Sequence, residues 1–177
     1  MRTKIILLPL VLLIGSGPGN WTADASKAKV AFSIKGPLGT VHGSFTGLKA
    51  TVQFDANNPA AGSISASIDA NTVSTGIGLR NHHLKSEEQY LNTDKYPEIS
   101  FHSKKIEKTG SGYTASGELT LKGVSKPVQI PFTFSPSGKT GTFKGHFVIK
   151  REDFNIGKPG GSTGDDVTID LEVPVSQ

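Results

Sequence analysis

The sequence predicts an all-β domain in which antiparallel strands either close into a barrel or stack as a sandwich. Eight segments alternate between apolar and polar residues with a period of two, which is typical of strands with one dry and one wet face. Clusters of glycine, proline, asparagine and serine separate these segments and suit the tight turns between antiparallel strands. The chain of 177 residues has no cysteine, so its hydrophobic core must hold it together without disulfide bonds.

The first four predicted strands are short alternating runs in the N-terminal half of the chain. Their inward positions are Val30, Phe32 and Ile34; Val52 and Phe54; Ile64, Ala66 and Ile68; and Ile99 and Phe101. Turn signals at 36–39 and 57–59 separate the first three runs. Because side chains alternate across a strand, the apolar residues of each run share one face of the sheet.

The last four predicted strands follow the same rule. Their inward positions are Leu119 and Leu121; Val128, Ile130, Phe132 and Phe134; Phe143, Phe147 and Ile149; and Val167, Ile169, Leu171, Val173 and Val175. Pro131 lies on the polar face of the sixth run. Because proline has no backbone N–H, its position predicts a sheet edge or a bulge there.

The segment from Ser74 to Tyr96 interrupts the β pattern between the third and fourth strands. Its central part, 79–91, tolerates a helix, and we predict one or two short helical turns there. A second helical turn is predicted at 151–154. Residues 80–97 are interpreted as a plug that closes one end of a barrel, with Leu84, Tyr90 and Leu91 packed inward. The alternative is a lid whose Arg80 or His83 contacts the polar head of a ligand.

The N-terminus has the three parts of a secretory signal peptide. Arg2 and Lys4 precede the apolar run 5–14, and small residues follow at 15–19. We therefore predict a cleaved signal at 1–19 and an exported domain at 20–177. The ten-residue apolar run is shorter than the roughly 20 residues of a membrane-spanning helix, so we expect no stable membrane insertion. Cleavage removes two positive charges and lowers the formal net charge from +4 to +2.

The motifs of several function classes are missing from the sequence. With no dense block of lysine and arginine, we expect no nucleic-acid binding. The histidines lack the short spacings of zinc ligands, and His102 and His146 fall on polar strand faces, so we expect no metal site. The pattern Gly-x-Ser-x-Gly occurs at 160–164, but it lies in a predicted glycine-rich loop and not in the strand–turn–helix context of a nucleophile elbow, and the chain has no cysteine nucleophile. We therefore assign no catalytic residue and expect a protein that is not an enzyme.

A set of motifs in a fixed order resembles the YceI-like family of periplasmic, lipocalin-like polyisoprenoid-binding proteins. The matching positions are Trp21, Asp24 and Ser26; 41–47; 74–76; 80–86; 95–101; 117–128; and 151–156. They cover nearly the whole mature chain. The chain departs from the family pattern at Asn81, where the family more often has aspartate, and at Leu91, a position that is often aromatic or aspartate-rich in the family.

The resemblance implies an eight-stranded antiparallel lipocalin-like barrel, with one or two short helices between strands 3 and 4. It also implies a periplasmic carrier that holds an apolar lipid, such as an isoprenoid quinone or a polyprenyl chain. Eight strands can enclose one small ligand, and an apolar chain needs an apolar lining. Shared parity together with the resemblance predicts these ligand-binding residues: Phe32, Ile34, Phe54, Ile68, Arg80, His83, Phe101, Leu121, Phe132, Phe147 and Ile169.

We expect no cofactor other than a bound isoprenoid-type lipid. Two other functions remain open at this point, and so does the formation of a homodimer. One is an enzyme of lipid or small-molecule metabolism that uses His83, which would have a strongly perturbed histidine at the base of a pocket. The other is a filled barrel that acts as an interaction or stress-protective module, which would have a solid core and no cavity.

Overall fold

The computed structural model describes residues 19–177, which form ten β-strands, one α-helix and three short 3₁₀ helices. The strands are β1 (Gly19–Ala23), β2 (Lys29–Gly36), β3 (Gly39–Phe45), β4 (Lys49–Phe54), β5 (Ser63–Asp69), β6 (Glu98–Thr109), β7 (Gly112–Leu121), β8 (Val124–Ser137), β9 (Thr140–Lys150) and β10 (Asp166–Ser176). The helix is α1 (Gly78–Ser86), and the 3₁₀ helices are Pro59–Ala61, Ala70–Thr72 and Arg151–Phe154. The predicted signal peptide, 1–19, lies outside the described residues apart from Gly19.

The strands form one antiparallel sheet that closes into an eight-stranded barrel, which confirms the predicted fold. Strands β4 to β10 follow one another around the barrel, and β1 closes it by pairing with both β4 and β10. β2 pairs with the same strand, β10, further along its length, so β1 and β2 are two halves of one interrupted strand. β3 pairs with β2, and β4 pairs with β1, so β3 and β4 are also two halves of one interrupted strand.

Two strands, β1 and β3, are absent from the sequence prediction. In β3 the position between Val41 and Phe45 that should carry a third inward apolar side chain is Gly43. A Cβ atom at Gly43 would collide with the ring of Phe32, which pairs with it across the hairpin. The glycine therefore makes room for the aromatic ring, and the alternation that would have indicated a strand is lost.

β6 extends much further than its predicted run. The pairing of β6 with β7 shifts by one residue between Ser103 and Lys105, at a β-bulge. Because a bulge reverses the parity of the positions that follow it, Phe101 and Ile106 both lie buried inside the barrel. The simple alternation rule cannot extend the strand across such a site.

The environment of Pro131 agrees with the predicted edge. β8 pairs with β7 over Val124–Phe132 and with β9 over Phe132–Ser137. Residues 124–131 therefore have a strand partner on the β7 side only, and Pro131 is the last residue of this stretch. The 3₁₀ helix at 151–154 packs against β8.

The two ends of the barrel differ. The turns after β6 and β8 and the start of β1 lie at one end, called here the closed end. The turns after β2 and β7, the long β9–β10 connection and the segment 70–97 lie at the other, called here the open end. The predicted helical elements are confirmed as α1 and the 3₁₀ helix at 151–154. Within residues 19–177, no helix has both the length and the apolar character needed to cross a membrane.

Candidate functional site

A cavity of ≈ 300 Å³ lies inside the barrel, between the closed end and the segment 70–97. Its volume lies at the lower end of the range usual for small-molecule sites. Residues of β2 to β10 and of α1 contribute to its wall. The lining comprises Val30, Phe32, Ile34, Phe45, Leu48, Ala50, Val52, Ile64, Ala66, Ser67, Ile68, Val73, Leu84, Leu91, Ile99, Ser100, Phe101, Ala115, Leu119, Leu121, Ile130, Phe132, Gly145, Phe147, Ile149, Arg151, Ile156, Val167, Ile169, Leu171 and Val173.

Three lining residues have polar side chains: Ser67, Ser100 and Arg151. Arg151 is 5% exposed, and its guanidinium group donates hydrogen bonds to the carboxylate of Glu152 and to backbone carbonyls of the β9–β10 connection. The carbonyl acceptors belong to Ile156, Lys158, Thr163 and Gly164 at 2.7, 3.3, 3.1 and 2.9 Å. The charged group is thus used within the protein, and the cavity is dominated by apolar surface.

An aromatic cluster forms the floor of the cavity at the closed end. Phe54 is its centre, with ring centroids 4.8 to 5.7 Å from those of its four aromatic neighbours. Those neighbours are Tyr113, Phe132, Phe134 and Phe143. The Trp21 Nε1–H donates to the Phe54 carbonyl at 3.3 Å, and its ring meets Phe134 edge-on. This half of the barrel is a solid core.

The segment 70–97 and the β9–β10 connection cover the open end. The segment 70–97 contributes Val73, Leu84 and Leu91 to the cavity lining. The β9–β10 connection contributes Ile156. The predicted inward packing of Leu84 and Leu91 is confirmed, and Tyr90 is half-buried.

Specific hydrogen bonds hold this cover in place. The buried Thr93 donates its hydroxyl to Asn71 Oδ1 at 2.5 Å and its N–H to the Lys85 carbonyl at 2.8 Å. The two covering segments are joined where the Gly157 N–H donates to the Gln89 carbonyl at 2.6 Å. Asn81 Oδ1 accepts hydrogen bonds from both the N–H and the hydroxyl of Thr75, each at 2.8 Å.

Lys122 also ties the cover to the barrel. Its ammonium group donates to the carbonyl of Asn155 at 2.6 Å, which links the β7–β8 turn to the β9–β10 connection. Partial burial lowers the pKa of Lys122, and the Glu88 charge opposes that effect. Neither Lys122 nor Glu88 is among the residues that line the cavity.

The structure places the predicted ligand-binding residues in three environments. Eight line the cavity: Phe32, Ile34, Ile68, Phe101, Leu121, Phe132, Phe147 and Ile169. Phe54 lies instead in the aromatic floor, although it faces inward. Arg80 and His83 lie on α1 outside the lining, and His83 Nε2 is 3.8 Å from the Glu87 carboxylate. Ligand contact by these residues stays a prediction.

Several lining residues were not among the predicted ligand-binding residues, although one of them, Ala66, was among the predicted inward positions. Ala50 and Ala66 face each other across β4 and β5, and their small size leaves room in the cavity. Their parity was visible in the sequence, but alanine carries little apolar signal. Val73 and Ile156 lie outside regular alternation, so that no pattern marks them as lining residues.

The polar groups on the outside of the barrel pair with one another. An open groove of ≈ 640 Å³ crosses the outer face, and within it His146 Nδ1 lies 2.7 Å from Asp170 Oδ1. Glu172 lies 3.7 Å from Lys29 in the same groove. His102 and His146 are exposed, as predicted from their parity. Among residues 19–177, no three histidine or carboxylate side chains gather as they would around a metal ion.

Comparisons with known proteins match almost the whole domain. Residues 21–175 match the family model described as the YceI-like domain. A UPF0312 protein of Pectobacterium atrosepticum is 35% identical over 185 residues, covering 97% of this chain and 95% of the relative.

Solved structures share the fold. The crystal structure of Burkholderia cenocepacia BcnA is 30% identical with a TM-score of 0.81, covering 88% of this chain and 99% of that one. A polyisoprenoid binding domain from Saccharophagus degradans, implicated in plant cell wall breakdown, is 17% identical with a TM-score of 0.68. That similarity covers 88% of this chain and 97% of the other.

Proposed function

Since this chain belongs to the YceI-like family, we propose that it is a binding and carrier protein for an apolar, isoprenoid-like lipid. The observation that carries the proposal is the apolar cavity of ≈ 300 Å³ inside the barrel. The lipid would lie in this cavity, and the protein would perform no chemical reaction on it. The predicted export signal, 1–19, supports a periplasmic carrier.

The energetics of burial favour an apolar chain as the occupant. Each buried methylene group contributes about 0.8 kcal/mol, so full burial of a chain of about 20 carbons gains about 16 kcal/mol, which offsets an association cost of about 4–15 kcal/mol. A polar ligand would instead leave its groups without hydrogen-bond partners along most of the wall, at about 1–3 kcal/mol for each. The name of the Saccharophagus degradans domain, which shares this fold, supports an isoprenoid.

The cavity also argues against the two alternative functions. An enzyme based on His83 would need that histidine within reach of a bound substrate. The side chain is 46% exposed and lies outside the cavity lining, beside Glu87. A stress-protective module with a filled barrel would show a solid core from end to end, whereas only the closed end is solid.

Native mass spectrometry of protein purified without detergent tests the proposal. We expect a co-purifying lipid, or uptake of an isoprenoid quinone or alcohol after mild delipidation. Absence of both would contradict the proposed function.

A matched pair of variants shows whether the lipid occupies the cavity. Ala50→Phe fills the space beside Ala66, so we expect at least about a tenfold loss of lipid uptake. Thr51→Phe adds the same ring to the outer face of the same strand, and we expect uptake to be unchanged. Equal uptake by the two variants would show that the lipid binds elsewhere.

A further inference from the structure

Four large apolar side chains are strongly exposed in the described part of the chain, and three of them belong to the open end. Leu38 is 102% exposed at the tip of the β2–β3 hairpin. Ile77 and Leu79, at the start of α1, are 49% and 67% exposed. The fourth, Val148, lies on the outer wall of β9. We call the first three residues the apolar rim.

The backbone brings the two parts of the apolar rim to the same end of the barrel. Ser74 and Ser44 exchange both N–H to carbonyl hydrogen bonds, at 2.8 and 2.9 Å. Because this pairing is antiparallel, the chain after Ser74 runs in the direction of the β2–β3 turn. Gly76, with a φ of +74°, then turns the chain into α1.

The same two segments carry positive and no negative side chains. Residues 35–45 and 74–86 contain Lys35, Arg80 and Lys85 but none of the 15 acidic residues of the chain, and Glu87 and Glu88 follow directly after α1. Three of the five histidines, His42, His82 and His83, belong to them as well. Exposed apolar side chains among cationic ones are the pattern by which proteins bind the surface of an anionic bilayer.

The apolar rim is continuous with the cavity. Leu38 lies in the turn directly after β2, and β2 contributes Phe32 and Ile34 to the lining. α1 carries the exposed Leu79 in its first turn and contributes Leu84 to the lining. A surface that contacts the rim therefore contacts the two elements that border the covered end of the cavity.

We propose that the apolar rim docks on an anionic phospholipid bilayer, where the cavity exchanges its lipid. This inference rests on the proposed function, because it assigns the surface at which the cargo enters and leaves. In the docked state the rim side chains enter the headgroup region, and Lys35, Arg80 and Lys85 lie near the lipid phosphates.

Co-sedimentation with vesicles tests the docking. The mature protein is mixed with vesicles of phosphatidylethanolamine and phosphatidylglycerol, and separately with vesicles of phosphatidylcholine alone. We expect binding to the anionic vesicles that weakens with added salt. In the double variant Leu38→Ser and Leu79→Ser, we expect about a tenfold loss of this binding. Lys35→Gln should weaken it by roughly fivefold.

Two control variants keep the result specific to the rim. Val148→Ser removes an exposed apolar side chain from the barrel wall, and Lys139→Gln removes a charge from the closed end. Both should bind vesicles as the parent does. Equal loss in the control and rim variants, or the absence of parent binding, would overturn the proposal. Rim substitutions that dissociate a dimer without affecting vesicle binding would also overturn it, since the rim would then be a protein interface.

Transfer measurements separate this inference from the proposed function. Lipid delivered from dilute ethanol should load the parent and the double rim variant equally, whereas transfer from anionic vesicles should be about tenfold slower for the variant. If neither protein takes up lipid from ethanol, the proposed function fails. If both take it up at equal rates from either source, only the docking proposal fails.

Discussion

Phe54 shows that a side chain can face inward without bordering the cavity. Its ring is 2% exposed and meets four aromatic rings in the floor. Parity along β4 correctly assigns it to the dry face. Whether an inward residue belongs to the core or to the cavity depends on its height along the barrel axis, which parity does not encode.

The substitution Phe54→Ala should therefore affect stability rather than lipid binding. We expect a loss of about 3–5 kcal/mol in the free energy of unfolding, because the large cavity left in the floor cannot collapse fully. Lipid uptake per folded molecule should be unchanged. Urea unfolding and native mass spectrometry measure the two quantities.

Phe147→Ala is the matched comparison, since Phe147 lines the cavity and is only half-buried. It should cost less stability and reduce lipid uptake more. If Phe54→Ala does not fold, Phe54→Leu tests the same expectation at a smaller cost. A selective loss of lipid uptake in the Phe54 variants would contradict this expectation and show that Phe54 contacts the ligand.

At the scale of elements, the sequence predicts the strands in which apolar and polar residues alternate regularly. Strands β2, β4, β5 and β7 to β10 follow alternation closely, because each has one face inside the barrel. The pattern does not predict β3, because Gly43 replaces an apolar residue and makes room for Phe32. It does not predict the C-terminal half of β6 either, because the bulge reverses the parity of the inward positions. The pattern does not mark the covering residues Val73 and Ile156, because irregular backbone has no sequence period.

The β9–β10 connection is an irregular element with a defined internal structure. Residues 151–165 belong to no β-strand, so they form no ladder of hydrogen bonds with a neighbouring strand. Instead, Arg151 donates hydrogen bonds to four backbone carbonyls of this connection and to the Glu152 carboxylate. The connection is further tied down by its first and last glycines, whose N–H groups donate to the Gln89 and Lys35 carbonyls. The planar guanidinium group is well suited to this role, because it presents five donors in a fixed arrangement.

The substitution Arg151→Lys should loosen this connection. A lysine keeps the charge but cannot reach all of these acceptors, so the half-buried residues Ile156 and Gly164 lose the partners of their carbonyls, and we expect a loss of about 2 kcal/mol in unfolding free energy. Hydrogen exchange should be faster at the amides of Gly157 and Gly164, whereas amides in β7 should exchange as before.

Lys150→Gln provides the control for Arg151→Lys. Lys150 is the neighbouring residue, and its exposed side chain forms ion pairs with Asp165 and Asp166. We expect this variant to lose at most about 1 kcal/mol. An equal effect of the two substitutions would mean that charge, rather than the hydrogen-bond pattern of Arg151, holds the connection.

At the scale of the whole molecule, the barrel divides into a solid half and a hollow half. The aromatic floor gives the closed end a packed core, and this core lets the other half remain open without losing the fold. An unfilled apolar cavity forgoes packing contacts that a solid core would have. The empty protein is therefore less stable than it could be, and a ligand that fills the cavity restores those contacts.

This division predicts that lipid binding stabilises the protein. A ligand that binds only the folded state adds about 2.7 kcal/mol to the free energy of unfolding when its free concentration is 100 times its Kd. Delipidated protein should therefore unfold at lower urea concentration than protein saturated with an isoprenoid alcohol. Ala50→Phe, whose added ring occupies part of the cavity, should show little shift on adding lipid, whereas Thr51→Phe should respond as the parent does. An equal shift in Ala50→Phe and the parent would place the stabilising ligand outside the cavity, because a filled cavity has no room for it.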